Sequence, residues 1–146
     1  MATESYPLPK FHFEVQWGGS RIGFTEVSGL DAETELIEYR EGSSREYSKV
    51  RMPGMQKYSN VTLKRGTFAS DNEFFQWWKS TRTLGKPERR EIIINLLNEN
   101  HEPVFKWTLR NAFPTKVQAT DLKAEGNEVA IETLELAHEG IEIEAL

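Results

Sequence analysis

Apolar and polar positions alternate with a period of two along most of this chain, the signature of strands with one covered face. Phe11, Phe13, Val15 and Trp17 alternate with His12, Glu14 and Gln16, and the following Gly18-Gly19-Ser20 is hairpin-turn chemistry. Further strands are predicted in RIGFTEVSGL, ETELIEYREG, NVTLKRGTF, EIIINLLNEN, VFKWTLRNAFP, TKVQATDLKAEG and the closing EVAIETLELAHEGIEIEAL. One segment has helical spacing. In SDNEFFQWWKSTRTLG, Phe74, Trp77 and Trp78 share a face, and Ser70 with Glu73 has the form of a capping box. Gly85 and Pro87 stop it, so the helix is expected over about 71–82. The pattern predicts a mainly β chain, an antiparallel β-barrel or sandwich with one flanking α-helix, forming a single domain over 1–146.

Two departures from simple alternation matter more than the alternation itself. Between about 41 and 58 the chain is polar and long for a connection, yet it carries Tyr47, Val50, Met52, Met55 and Tyr58. It is expected to form a projecting arm, with Pro53-Gly54 turning sharply inside it. In the closing segment the apolar stripe changes sides, from Val129 and Ile131 to Leu134 and Leu136, then back to Ile141 and Ile143. A strand with one wet face should not do this. EIIINLL likewise puts Ile92, Ile93, Ile94, Leu96 and Leu97 on both faces. Leaving such side chains in water forfeits about 1.5–3 kcal/mol each, so other copies of the chain are expected to cover the second face.

Charge points the same way. The net charge is -5. Residues 40–90 nevertheless hold 12 Lys/Arg against 5 Asp/Glu, while the remainder holds 6 against 18. Two regions of opposite sign on one molecule suit head-to-tail association. The acidic total disfavours a nucleic-acid protein, and no run reaches the length of a membrane span. The start has no signal-peptide layout and the chain has no cysteine, as expected for synthesis in a reducing cytoplasm. His12, His101 and His138 are scattered without metal-ligand spacing, and no nucleophile elbow or phosphate loop is present. No enzyme activity, metal or cofactor is expected.

The ordered set YPLPKFHFEVQW, FTEVSGLDAETELIEYREG, KVRMPGMQKYSNVTLKRGTF, FFQWW, INLLNE, NAFPTK and GNEVAIETLEL resembles the inner-tube proteins of contractile injection systems, the phage-tail-like particles. It is similar also to tail-tube proteins of contractile phages. The resemblance runs from Tyr6 to Ile143, with KVRMPG and the inserted SSREYS departing from the family's shorter pattern. It implies hexameric rings stacked into a hollow tube inside a contractile sheath, with baseplate, spike and tube-terminating proteins as partners and effector cargo in the lumen. The particle would be released, membrane-anchored or cytosolic, without membrane insertion by this chain. A phage tail conducting DNA, a type VI secretion ring protein and a monomeric β-barrel binding module are the alternatives. On this reading Tyr39, Tyr47, Lys49, Arg51, Met52, Pro53, Gly54, Met55, Tyr58, Ile141 and Ile143 are expected at subunit or ring contacts, and Thr62, Lys64 and Glu132 on the lumen wall.

Overall fold

The computed structural model describes residues 12–19, 23–40, 42, 50–69, 71–82, 88–124 and 129–146. In chain order the elements are β1 (Phe13–Gln16), β2 (Phe24–Ser28), β3 (Glu33–Tyr39), β4 (Val50–Lys57), β5 (Val61–Gly66), α1 (Glu73–Lys79), β6 (Arg90–Leu97), β7 (Pro103–Ala119), β8 (Ile131–Ala137) and β9 (Gly140–Ala145). All strand pairs are antiparallel.

The 17-residue β7 organises the fold. The sequence pattern predicted two strands here, and the structure joins them in one bent strand. Its first half lies between β6 and β9, with β1 beyond β6, and this forms sheet A. Its second half, Phe113–Ala119, pairs with β8 and opens sheet B, in the order β7-β8-β5-β2. The bend falls at Asn111, whose φ of 51° is the left-handed conformation that Asn tolerates better than most residues. Its side-chain amide donates to Glu139 Oε2 at 2.8 Å, and the Glu139 N–H donates to the Arg110 carbonyl at 2.9 Å. Arg89 reaches Glu139 Oε1 at 3.1 Å and lies over the Phe113 ring. Three side chains therefore fix the corner.

That corner accounts for one change of sides in the closing segment. Leu134 and Leu136 of β8 are buried, His138 and Glu139 turn the chain into sheet A, and Ile141 of β9 packs against the same core. Ile141, expected at a subunit contact, is thus partly covered by its own chain. In β7 the inward positions shift likewise, from Leu109 to Ala112 and Pro114, then to Val117 across a register shift between Pro114 and Lys116. In β6, Ile92 and Ile94 are buried while Ile93 and Leu96 are half-covered.

The helix is shorter than expected. It begins at Glu73 and gives way after Lys79 to a single 3-10 turn, Ser80–Arg82. Ser70 lies outside the described residues. Asn72 occupies the cap position without a capping side-chain bond, and Asp71 Oδ1 instead accepts the Glu73 N–H at 3.2 Å. Phe74 and Trp77 enter the core, where Trp17 meets Phe74 edge-on at 5.0 Å and the Trp77 indole donates to the Glu88 carbonyl at 2.7 Å. Phe75 and Trp78 face away, with the Arg82 guanidinium over both rings. The aromatic stripe is therefore shared between interior and surface.

Candidate assembly surfaces

β3 and β4 form a two-stranded sheet of their own. Every described position in them is exposed except Gly54, so the ribbon stands off the body. It carries six of the twelve large apolar side chains exposed among the described residues: Leu36, Ile37, Tyr39, Val50, Met52 and Met55. Ile37 sits opposite Met52 and Tyr39 opposite Val50, so four of them make one apolar face. Glu38 pairs with Arg51 at 3.6 Å on the other face, and Lys57 bridges Glu33 and Glu35 at 4.0 and 3.9 Å. A lone two-stranded ribbon is marginal in water, and exposed ion pairs add little. This arm is built to lie against something.

Its root is well defined. Gly29, between β2 and the arm, has φ +86°, and a Cβ there would overlap the Asn60 carbonyl oxygen. The expected turn at Pro53-Gly54 does not form, because both residues lie within β4, where the register shifts opposite Thr34–Leu36. Gly54 lets the Ile37 side chain lie close over the backbone, and Pro53 is tolerated since a two-stranded sheet has a free edge for a residue without N–H. Tyr58 belongs to the body. Its ring is 5.5 Å from that of His138, whose Nε2 lies 3.1 Å from the Ser59 carbonyl oxygen. Tyr47 and Lys49 fall outside the described residues, and Ile143, 51% exposed, lies on β9 opposite Trp107.

Sheet B has a second surface. Val61 and Leu63 of β5 point inward, so Thr62 and Lys64 point out. Cross-strand register completes two outward rows, Ser28–Thr62–Glu135–Lys116 and Glu26–Lys64–Thr133–Gln118. Thr62, Lys64, Lys116, Gln118, Thr133 and Glu135 line one shallow depression. No large apolar side chain stands in either row. The two lysines are matched by two carboxylates, with Lys64 Nζ 3.3 Å from Glu26 Oε2, and Asn60 donates to Glu135 Oε1 at 3.2 Å.

Glu132, expected beside Thr62 and Lys64, is on the opposite face. Parity along β8 groups it with Leu134 and Leu136, and its Oε1 accepts from Arg65 Nε at 2.6 Å. Arg65 is itself fully buried, reaches Asp71 Oδ1 at 3.0 Å through Nη2, and lies 4.0 Å over the centre of the Phe74 ring. This triad ties β5 and β8 to the start of α1. The signal was present in the sequence: Arg65 continues the inward parity of Val61 and Leu63, and Glu132 that of Leu134 and Leu136.

Two further features escaped the sequence pattern. Among the described residues, β2 and the second half of β7 each pair on one side only, leaving sheet B with two open edges. At the end of sheet B away from the arm root, Phe68, Leu122 and Val129 are 52%, 89% and 72% exposed. Phe68 and Val129 both border Gly66, and Leu122 and Val129 line one depression. The three histidines stay apart from any metal-like cluster: His12 contacts His101 edge-on at 5.2 Å, and no group of three or more ligand-type residues converges among the described residues. No helix of the described residues is long and apolar enough to cross a membrane.

Comparison with known proteins agrees with this fold. The family model of the T4-like virus tail tube protein gp19 matches residues 9–142. A chain of the sheath–tube complex of the extracellular contractile injection system PVC, in its extended state, is 34% identical over 97% of this chain and 94% of its own, with a TM-score of 0.88. A chain of the anti-feeding prophage tube-terminating cap is 32% identical over 100% and 96%, with a TM-score of 0.89. Hcp1 from Flavobacterium johnsoniae shares the fold at 12% identity, with a TM-score of 0.60 over 91% and 94%. No curated protein sequence matches.

Proposed function

Starting from the fact that the chain belongs to the T4-like virus tail tube family and is an inner-tube protein of the contractile-injection kind, we propose how it builds the tube. Copies form a hexameric ring in which sheet B of each subunit supplies one stave of a continuous inner barrel. The two open edges of sheet B carry this reading. A sheet with two unpaired edges invites pairing with another chain, and closure into a barrel removes both edges at once. Four strands alternating in direction leave β2 and β7 running opposite ways. Rotation about a central axis therefore brings β2 of one copy beside β7 of the next as an antiparallel pair.

The outward rows of sheet B then face the channel. Thr62 and Lys64 line it as the sequence suggested, with Lys116, Gln118, Thr133 and Glu135 beside them in place of Glu132. A polar, charge-balanced wall offers cargo neither an apolar patch nor a strong field of one sign, so effector proteins pass without sticking. The arm and the Phe68–Leu122–Val129 rim lie at opposite ends of sheet B, as a head-to-tail stacking contact needs. The apolar arm face of Ile37, Tyr39, Val50 and Met52 reaches onto the neighbouring ring. The tube works inside a sheath and on a baseplate, the company in which its relatives occur.

Negative-stain microscopy of the purified chain tests the reading. Six-membered rings with a central channel, stacking into tubes at higher concentration, are expected. A stable monomer at high concentration overturns it.

A further inference from the structure

We infer that charge selects which edges of sheet B meet, through Glu26 of β2 and Lys116 of the next copy's β7. This rests on the ring proposed above and names its seam. Glu26 and Lys116 are the charged residues of the outward rows that stand on the open edges, and they carry opposite signs. Among the described residues Lys116 enters no ion pair, although Glu135 is its neighbour in the ladder. Glu26 keeps one carboxylate oxygen toward Lys64, at 3.3 Å, and its side chain is 55% exposed.

Open edges can pair in three ways. Two β2 edges meeting across a two-fold axis bring Glu26 toward Glu26, and two β7 edges bring Lys116 toward Lys116. Like charges across a strand pair are destabilising. Only β2 against β7 places opposite charges together, and only that pairing is heterologous and so able to close a ring. In level register Lys116 is diagonal to Glu26. A relative shift of two residues along the strands brings the two into direct opposition, and both placements are within reach of long side chains. At the seam Glu26 stands between Lys64 of its own chain and Lys116 of the next, so the alternation of sign along the wall continues unbroken from subunit to subunit. The edge charges act as a key: they reject the two-fold dimers that would use up one edge of each copy without making a tube.

The chain has no cysteine, which allows a clean test. The double variant Glu26→Cys/Lys116→Cys, oxidised after assembly, should give a covalent ladder up to six copies on a denaturing gel. Either single cysteine variant should give no disulfide dimer. In parallel, Glu26→Lys and Lys116→Glu should each raise the concentration at half-assembly about tenfold, and the exchanged pair Glu26→Lys/Lys116→Glu should restore it most of the way. Unchanged far-ultraviolet circular dichroism confirms that each variant is folded. Rings from both single charge variants at the wild-type concentration would overturn the seam while leaving the tube intact. Disulfide dimers from Glu26→Cys alone would replace the seam with two-fold pairing. A wild-type chain that remains monomeric removes the ring, and with it both readings.

Discussion

Arg65 is the residue on which the interior depends most. Its guanidinium has no access to water, both carboxylate partners are largely covered, and aromatic rings line its plane. Such a triad offsets its own desolvation only while it is complete. Arg65→Met should destabilise the chain by about 3–5 kcal/mol, because two buried carboxylates then face each other without a cation. Adding Asp71→Asn and Glu132→Gln removes those charges and should recover most of the loss. Urea unfolding followed by tryptophan fluorescence checks both. The triad also explains why Glu132 is easily misread. Its parity with Leu134 and Leu136 is legible in the sequence, but a carboxylate between apolar residues reads as a wet face until the buried Arg65 that pairs with it is known.

At the scale of the element, the arm and its root behave differently. The arm's apolar face is exposed and lies on no element of the body among the described residues, so Ile37→Asp with Met52→Asp should leave the melting temperature within a few degrees of wild type. The same pair should abolish stacking while sparing single rings, as microscopy would show. Gly29→Ala acts at the root. It forces a side chain into a left-handed backbone and against the Asn60 carbonyl, and about 1–3 kcal/mol of stability should be lost. Strand existence was legible from alternation alone: β1, β5, β6 and β8 lie where the pattern put them. Boundaries that depend on partners were not. Pro53-Gly54 has turn composition, but the neighbouring strand carries both residues through β4, and Asn111 gives little local hint that it bends β7.

For the whole molecule, part of the apolar surplus that the strand pattern leaves without cover is covered by the chain itself. Leu134, Leu136, Ile92 and Ile94 find cover in their own core, because the corner at Asn111 and Glu139 lets one strand serve two sheets. Apart from Phe75 on α1, the large exposed apolar side chains among the described residues gather in the arm, the Phe68–Leu122–Val129 rim and the chain end at β9. Uneven charge should make assembly sensitive to ionic strength, since at about 1 M salt screening acts over only about 3 Å. Sedimentation in rising salt should show tubes giving way to smaller species, with burial of the arm face preserving some stacking. Salt-independent tubes would leave apolar contact as the sole adhesive.

β7 also decides how a subunit answers to load. In the proposed tube, a push on the channel wall would enter the second half of that strand, in sheet B, and pass to sheet A along peptide bonds as well as through the shared core. The two layers cannot shear past one another unless the strand itself gives way. A shaft assembled from such pieces transmits thrust as a stiff solid does, and should break between subunits before any one of them delaminates.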